Sequence, residues 1–408
     1  MAVDQAGFKP VISVPNGAST GNNNLSWLDN CIDHFEKADK IIIATDKDTA
    51  GVTLRTQLAS RLGVERCYKV EFGDCKDSNE VLIRYGSDVL KQVIQNADTF
   101  PIEGAYTVID IEEELNSLYM NGLKRGFTIG INDFDKLISF EFGRLYTITG
   151  IPSHGKSKFV DYLISRLNLK YEMKAAYFSP ENFPIQLHTA AISELLTGRK
   201  FGNETMTETE YYEAKKHIND KFYWILPEND FTVSNILDKA RQLILRKGVQ
   251  ILVIDPYNKL EHQTENGENE TQYISRFLDT LVSFAHKNNI IVFLVAHPKK
   301  MQKQANGSYD VPTLYDINGS ANFYNKTDFG ITVYRDFNLN VVTTIVNKVK
   351  FKHLGETGQT TWKYSTENNR FNPADDLGNA PFDNINWLKE GFLNAEYFES
   401  KISNQFPV

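Results

Sequence analysis

The chain has few cysteines, no long apolar run and no excess of positive charge. Its three cysteines, Cys31, Cys67 and Cys75, match no metal-ligand spacing and are odd in number, so we expect a reducing compartment, no disulfide and no zinc. No stretch of 18 apolar residues, which a membrane-spanning helix would need, occurs in the chain. A signal peptide is also not expected, because residues 7–10 interrupt the first apolar stretch. We therefore expect no membrane partner.

Charge and composition limit the partners and the number of domains. The formal net charge of −8 argues against a general basic coat for nucleic acid, although one channel could still have a basic lining. With 408 residues, 41% of them hydrophobic and 12% aromatic, the chain can bury a sizeable core and is expected to form two or three domains. Any DNA site must be local.

The most informative segment is a strand, a glycine-containing loop and a helix, in that order. Residues 145–149 predict a buried strand, residues 150–157 fill the pattern G-x-x-x-x-G-K-[ST], and residues 159–167 have helical apolar spacing. The N–H groups of such a loop and the positive end of its helix bind phosphate oxygens. We expect ATP or another nucleoside triphosphate with Mg²⁺, with Lys156 on the β- and γ-phosphates and Ser157 on the metal. The expected nucleotide-binding residues of this loop are Gly150, Ile151, Pro152, Ser153, His154, Gly155, Lys156, Ser157 and Lys158.

Three later apolar runs predict strands, and each is followed by a polar residue: Glu181 after residues 174–178, Asp255 after 250–254, and His297 after 290–296. Glu181 could polarise the attacking water, or it could be an exposed loop acid. Asp255 could hold Mg²⁺ through water, and His297 could contact the γ-phosphate or be a structural histidine. Further strands at 221–226, 340–347 and 360–364 complete an α/β fold with a mostly parallel, twisted sheet flanked by helices.

The first hundred residues also alternate between helix and strand patterns. The expected elements are a helix at 1–7 capped by Gly7, a strand at 10–14, a helix at 24–35, a strand at 41–44 and a helix at 52–62. This order predicts a parallel sheet with crossover helices. Asp46 and Asp48 follow a strand end and could hold Mg²⁺ through their carboxylates, although a D-x-D turn can also cap a helix or lie in a solvated loop.

Three short segments of this part resemble the later half of the Toprim domain found in phage bifunctional primase-helicases and Twinkle: residues 14–19, 46–51 and 74–80. The resemblance implies that the opening strand of the domain, with its glutamate, would lie upstream of Met1. We therefore expect a fragment, an internal start or a reduced domain. Without that glutamate the Mg²⁺ site at Asp46 and Asp48 is incomplete, so primer synthesis is expected to be absent.

Residues 121–370 resemble the hexameric replicative helicase core of DnaB, Twinkle and the phage primase-helicases. The motifs that carry this resemblance are residues 150–157, 179–181, 254–255, 295–298, 316–321, and 348–351 ahead of 355–358. The resemblance implies a RecA-like P-loop ATPase that forms a hexamer or heptamer ring on single-stranded and forked DNA. It also implies a phage or mobile-element source, the cytosol or nucleoid of a bacterial host, and a replisome in which primase and polymerase could be partners.

The same resemblance implies roles for single residues. Asp255 would organise magnesium, Glu181 would be the catalytic base and His297 would contact the γ-phosphate. Arg335 and Tyr364 fall where the family clasps the nucleotide base.

Two lysine-rich segments complete the predicted site. Lys299, Lys300 and Lys303 could grip successive phosphates of one DNA strand, together with Asn318 and Gly319 in a second loop, or the lysines could form a solvated face.

Ring motors of this family complete each site with an arginine from the neighbouring subunit. Lysines stand at 348, 350 and 352 of the corresponding strand, on one face. We expect Lys350 to be this finger and Lys348 its supporting partner. The alternative is an exposed, lysine-rich strand edge.

The expected organisation has four parts: a partial Toprim-like domain at 1–100, a linker helix at 101–122, a RecA-like ATPase domain at 123–374 and a C-terminal tail at 375–408. The helical pattern at 107–120 could pack on a neighbouring subunit or fold back on its own domain. Two other classes remain open: a RecA- or RadA-like recombinase that binds single-stranded DNA without unwinding, and a nonproductive fragment that forms no proper ring.

Overall fold

A computed structural model gives the fold, and it describes residues 2–15, 17–21, 23, 25–100, 107–261, 269–303, 309–317, 320–375, 379–380 and 383–389. The described residues form two compact units. One lies within residues 1–124 and 242–248, and the other within residues 125–241 and 249–408. Within the described part of the chain, no helix combines the length and the apolar character that crossing a membrane requires.

The first unit contains a small three-stranded sheet. Its strands, in their order across the sheet, are β1 (Ile41–Ile43), β2 (Cys67–Lys69) and β3 (Asp98–Thr99). Its helices are α1 (Ala2–Gln5), α2 (Ile32–Glu36), α3 (Thr49–Leu62), α4 (Ser78–Gln95) and α5 (Glu112–Asn121). The pair β1 and β2 is parallel with α3 between them in the chain, as the sequence predicts. The pair β2 and β3 is antiparallel, which the sequence does not predict.

The predicted strand at residues 10–14 is wrong. In the structure this segment has no regular secondary structure, and Val11 and Ile12 are exposed. The alternating sequence lacks a neighbouring strand among the described residues to pair with, and β-propensity alone does not form a strand. The helix cap at Gly7 is confirmed, because this residue follows α1 with a φ of +89°.

Two predicted helices of this unit are shorter than expected. The pattern at 24–35 forms a 3-10 turn, Ser26–Asn30, followed by α2. The pattern at 107–120 begins with the 3-10 turn Ile109–Ile111 and becomes α-helical only in α5, while residues 101–106 of the predicted linker lie outside the described residues.

The second unit is built on a nine-stranded sheet. Its strands are β4 (Arg144–Thr149), β5 (Lys174–Phe178), β6 (Phe222–Trp224), β7 (Val249–Ile254), β8 (Ile291–Val295), β9 (Phe329–Asp336), β10 (Val341–Val349), β11 (Gly358–Tyr364) and β12 (Phe371–Pro373). The order across the sheet is β12-β11-β10-β9-β4-β8-β7-β5-β6. The strands from β9 to β6 run parallel, whereas β10, β11 and β12 extend the sheet in antiparallel fashion. The predicted α/β class with a mostly parallel sheet is therefore confirmed.

Helices and a mixed aliphatic and aromatic core cover this sheet. The helices are α6 (Asn132–Leu137), α7 (Lys156–Tyr171), α8 (Ile185–Thr197), α9 (Glu208–Lys221), α10 (Val233–Lys247), α11 (Glu270–Asn288) and α12 (Ser320–Lys326). Only the residues of α10 up to 241 belong to this unit, and residues 242–247 belong to the first. Every residue of β5 and β8 is buried, as expected for parallel strands covered on both faces. The Trp362 ring packs edge-on against Phe134 and Phe159, which anchors α7 to the antiparallel extension.

Candidate nucleotide-binding site

The strand order brings the predicted site residues to one edge of the sheet. The strands β4, β8, β7 and β5 are neighbours and parallel, so their carboxyl ends lie side by side. Hydrogen bonds between neighbouring strands continue one residue beyond the strand ends. The backbone N–H of Ala296 donates to the Ile148 carbonyl at 2.9 Å, and that of Asp255 donates to the Phe178 carbonyl at 2.9 Å. Such an edge is where open α/β sheets bind their ligands.

The loop after β4 has a backbone that only particular residues allow. Gly150 has a φ of +149°, and a Cβ atom there would lie 2.1 Å from the Val333 carbonyl oxygen of β9. Gly155 has a φ of +93° immediately before α7. Ser153 also has a positive φ of 67°, which is uncommon for a residue with a side chain. The loop is thus tightly packed against β9 at Gly150 and leads directly into α7.

Lys156 is buried and folded over this loop. Its Nζ donates to the carbonyl oxygens of Gly150 at 2.9 Å and Ile151 at 3.1 Å. Burial lowers the pKa of Lys156 to about 8, against the opposing effect of the nearby carboxylates of Asp255 and Glu181. The ammonium is therefore a poorly hydrated cation positioned at the phosphate loop.

Asp255 and Ser157 supply adjacent oxygen atoms at the start of α7. Burial raises the pKa of Asp255 to about 6, and a hydrogen bond from the Ser157 side chain opposes that rise. A hydroxyl beside a carboxylate fits Mg²⁺, which is commonly bound by one or two protein oxygens together with water and phosphate oxygens. Among the described residues no cluster of three or more His, Cys, Asp or Glu side chains could hold a metal by itself.

Glu181 lies in the 3-10 turn Pro180–Asn182 after β5, with about half of its side chain exposed. Its Oε1 is 3.6 Å from the Nζ of Lys259, which belongs to the turn after β7. The sequence reading missed Lys259. The sequence does show that β5 and β7 both end in polar loops. That these two strands are neighbours, which brings Lys259 close to Glu181, is known only from the sheet order.

His297 follows β8 and faces the same group of charges. Its Nδ1 is buried and has no hydrogen-bond partner in the part of the chain that the structure describes. Burial, with the nearby ammonium of Lys156, lowers the pKa of His297, so the ring is neutral at physiological pH. An unpaired, buried nitrogen at this edge is suited to contact a ligand.

Comparisons with known proteins show the family of the chain. The DnaB-like helicase C terminal domain matches residues 126–373. The chain belongs to this family. The Twinkle homolog protein, chloroplastic/mitochondrial, of Arabidopsis thaliana is 35% identical over 405 residues, which cover 90% of this chain and 57% of that protein. The chain therefore spans little more than half the length of this relative.

A shorter relative and a solved structure complete the comparison. The Primase homolog protein of Arabidopsis thaliana is 38% identical over 120 residues, which cover 25% of this chain and 36% of that protein. A solved structure of a DnaB-like replicative helicase, described together with its interactions with primase, has a TM-score of 0.53 and 16% identity, covering 72% of this chain and 73% of that chain. At this identity the likeness concerns the fold alone.

Arg335 and Tyr364 of this helicase family domain lie close to each other, and their contact with a nucleotide base stays a prediction. The Arg335 guanidinium is 5.5 Å from the centre of the Tyr364 ring, and the Tyr364 hydroxyl donates to Asn369 at 2.6 Å. Two residues that the sequence reading did not assign to the base lie beside Arg335. His154 accepts a bond from its backbone, and the ring of Phe337 covers its guanidinium.

The lysines of the predicted finger are less regular than expected. The strand β10 ends at Val349 after an irregularity between Val346 and Lys348, so Lys350 and Lys352 lie beyond it and the predicted single face of a strand is wrong. Alternation of side chains holds only within a strand, so it does not apply to Lys350 and Lys352, which follow the end of β10.

Two of these lysines donate hydrogen bonds to distant parts of the chain. Lys348 donates to the carbonyl groups of Tyr324 and Asn325 at the end of α12. Lys350 donates to Asp328 at 2.9 Å, and the Asp328 side chain is fully buried. The assignment of Lys350 as the finger and Lys348 as its partner stays a prediction.

The predicted DNA loop is only partly described. Lys299, Lys300 and Lys303 are exposed, and the backbone N–H of Lys299 donates to the Asp316 carbonyl at 2.7 Å. Asn318 and Gly319 lie outside the described residues.

In the first unit, the two aspartates of the predicted Toprim metal site have structural contacts. Asp48 caps α3 by accepting a hydrogen bond from the N–H of Gly51 at 2.8 Å. Asp46 lies 3.8 Å from the Nζ of Lys76 and is about half exposed. These contacts correspond to the helix-cap alternative for the D-x-D turn.

Proposed function

We propose that this chain is an ATP-driven DNA helicase that moves along single-stranded DNA and separates forked duplexes. The observation that carries the proposal is the convergence of Lys156, Asp255, Glu181 and His297 at the carboxyl edge of one parallel sheet. Membership of the DnaB-like helicase family supports the same activity.

The proposed chemistry divides among four side chains. Lys156 would bind the β- and γ-phosphates, because its buried ammonium already lies over the phosphate loop. Ser157 and Asp255 would hold Mg²⁺, which when bound neutralises charge on the phosphate oxygens. Glu181 would orient the attacking water and accept its proton, and the half-exposed position of its carboxylate lets water reach it.

The proposed coupling to DNA runs along the chain from β8. His297, at the end of this strand, would contact the γ-phosphate, and Lys299 and Lys300 follow within three residues. The bond between the Lys299 N–H and Asp316 ties this loop to the segment that precedes Asn318 and Gly319. A displacement at His297 would therefore move both predicted DNA loops.

The finer parts of the proposal follow the resemblance. The chain would act as a hexamer or heptamer ring, completed at each site by Lys350 of a neighbouring copy. It would meet primase and polymerase at a phage or mobile-element fork in the cytosol or nucleoid of a bacterial host. Residues 1–100 would be a reduced primase-type Toprim domain, which the parallel pair β1 and β2 supports.

DNA-stimulated ATP hydrolysis tests the proposal. We expect Lys156→Ala to lower the rate by on the order of 10² to 10³, because a preorganised cation at the transferred phosphate is lost. The matched control is Lys216→Ala, which removes an exposed lysine of α9 and should leave the rate unchanged. A Lys156→Ala protein with near wild-type, DNA-stimulated hydrolysis would contradict the assignment of the phosphate loop.

A further inference from the structure

His154 connects the phosphate loop to the end of β9. Its side chain belongs to the loop that precedes Lys156, and only 5% of the residue is exposed. Its Nδ1 accepts a hydrogen bond of 3.0 Å from the backbone N–H of Arg335, a residue 181 positions away in the sequence. Because Nδ1 is the acceptor, the hydrogen of the neutral ring lies on Nε2. Burial lowers the pKa of His154 to about 4, which keeps this neutral form at physiological pH.

Aromatic rings surround the same histidine. The His154 ring lies 5.1 Å from that of Tyr334 and 5.3 Å from that of Phe337, and it meets Phe337 edge-on at 84°. Phe337 in turn has the Arg335 guanidinium 5.0 Å from its ring centre, although 60% of this residue is exposed. One phosphate-loop side chain thus contacts both the backbone of Arg335 and the ring that covers its guanidinium.

The turn that carries Phe337 is built to keep this arrangement. The Asp336 carboxylate accepts bonds from the N–H groups of Asn338 at 2.8 Å and Leu339 at 3.0 Å. Asn340 adopts a left-handed φ of 52° and accepts a hydrogen bond of 3.0 Å from the Arg335 guanidinium. Because these hydrogen bonds fix the turn, the exposed ring of Phe337 is held in place beside the Arg335 guanidinium.

Arg335 retains capacity for a ligand. Its Nε is buried and has no hydrogen-bond partner among the described residues. Phe337 lies within 5.0 Å of the guanidinium and Tyr364 within 5.5 Å. A planar, π-electron-rich group is the kind of ligand that stacks on a guanidinium held against aromatic rings.

We propose that His154 and Phe337 are positioning residues that fix Arg335 for the nucleobase and so link base recognition to the phosphate loop. The proposal rests on the proposed function in one respect, which is that a nucleoside triphosphate is the ligand. If the proposal holds, the site distinguishes a triphosphate that carries a base from a triphosphate that carries none.

The test compares the affinities of ATP and inorganic tripolyphosphate, each with Mg²⁺, by displacement of a fluorescent nucleotide from the full chain. We expect His154→Ala and Phe337→Ala each to weaken ATP binding about tenfold, as expected for a lost cation–π and stacking support. Tripolyphosphate binding should change less than about twofold, because the contacts of the phosphate loop itself remain.

Three further variants separate positioning from general damage. His154→Asn keeps a hydrogen-bond acceptor near the position of Nδ1 and should recover part of the lost ATP affinity. The double variant His154→Ala with Phe337→Ala should lose no more than the larger single loss, since both act through Arg335. Leu339→Ala, at an equally exposed position of the same turn, should bind both ligands as the wild type does.

The outcomes are distinct. Equal losses for ATP and tripolyphosphate, or additive losses in the double variant, would overturn the proposal, since His154 would then only shape the phosphate loop. A wild-type chain that binds ATP no better than tripolyphosphate would also overturn it. A chain that shows the expected binding pattern but does not separate DNA strands would instead contradict the proposed function and leave this inference standing.

Discussion

Lys156 and Asp255 illustrate how burial sets the chemistry of single residues. Each is almost fully buried, and burial disfavours the charged form of each, lowering the pKa of the lysine and raising that of the aspartate. Their mutual attraction opposes both shifts but does not cancel them. The two groups therefore have perturbed pKa values on either side of neutrality, as is common for residues that bind or transform a ligand.

These shifts predict a bell-shaped pH dependence of kcat/KM for ATP hydrolysis. Below about 6 the Asp255 carboxylate becomes protonated and can no longer hold Mg²⁺, so activity falls as the pH decreases. Above about 8 Lys156 loses its proton and its attraction for the triphosphate, so activity falls as the pH increases. Steady-state kinetics from pH 5 to pH 10 would measure both limbs, with circular dichroism to show that the chain stays folded.

A matched variant identifies the alkaline limb. Lys156→Arg keeps a positive charge at every pH of the series, because a guanidinium does not lose its proton there. Its nucleotide affinity should not fall between pH 8 and pH 10, whereas that of the wild type should. A wild-type affinity that is constant across this interval would contradict the role given to the Lys156 charge.

At the residue scale, the sequence reveals functional groups that lie next to a pattern. Lys156 and Ser157 are identified by the loop motif, and Asp255 and His297 by their position directly after apolar strands. The bond between His154 and Arg335 joins residues far apart in the chain, and it depends on β9 lying beside β4. No local pattern contains such a contact.

At the element scale, buried parallel strands are the easiest to predict. The sequence predicts β5 at its observed bounds, and β7 and β8 within one residue at either end. These strands are predictable because a short, mainly apolar run between polar loops in an α/β chain is typical of a buried parallel strand. The wrong strand at residues 10–14 is also rich in β-branched residues but has no partner strand among the described residues. Whether such a segment forms a strand depends on hydrogen bonding to a neighbouring strand, which the sequence alone does not show.

The loop after β8 should control affinity for single-stranded DNA. Replacing Lys299, Lys300 and Lys303 by glutamine should weaken binding equally for different sequences and flatten the logarithmic salt dependence by about 0.7 per lysine lost. Fluorescence anisotropy at several salt concentrations would measure the slope. Basal ATP hydrolysis should be largely retained, because these lysines lie beyond the phosphate site.

A charge-matched control separates local contact from net charge. Glutamine at Lys200, Lys215 and Lys216, which are exposed elsewhere on the second unit, should leave the salt slope unchanged. If the two triple variants behave alike, the lysines after β8 form an ordinary solvated face.

Part of the predicted C-terminal tail is held by one buried arginine. Arg370 donates to the Asp383 carboxylate at 2.7 Å and to the carbonyl groups of Leu195 at 2.8 Å and Ile385 at 2.7 Å, and its guanidinium lies 3.7 Å from the Trp387 ring centre. The amino-acid pattern of this segment indicates no chemical role. Its structural contacts cannot be predicted from the sequence, because some partners of Arg370 are more than a hundred residues away in the chain. Residues 390–408 lie outside the described residues.

Removing this arginine should destabilise the second unit. We expect Arg370→Met to lower the free energy of unfolding by about 3–5 kcal/mol, because the buried Asp383 carboxylate would lose its counter-charge. Urea unfolding would measure the loss. Arg199→Met, which removes a more exposed arginine 3.9 Å from Glu210, should cost less than about 1 kcal/mol. Similar costs for both variants would contradict the importance of the buried pair.

At the scale of the whole molecule, a ring would share each active site between two copies. Lys350 is the predicted cation in trans, and its present partner is the buried Asp328 of its own subunit. Subunits carrying Lys350→Ala, mixed into wild-type rings, should bind ATP normally but reduce hydrolysis more than in proportion to their share. The control is Lys352→Ala, on the adjacent 3-10 turn, which should have no such effect. A strictly proportional loss with Lys350→Ala would exclude a role across the subunit boundary.

Strand separation of a forked DNA duplex tests the proposed helicase most directly. The substrate carries a non-complementary tail, and release of one strand is followed with ATP and Mg²⁺. We predict that the wild-type chain separates the strands in an ATP-dependent manner and that the Lys156→Ala variant does not. A wild-type chain that binds the tail and hydrolyses ATP but leaves the duplex intact would contradict the proposal and indicate an ATP-dependent DNA-binding protein of the recombinase type.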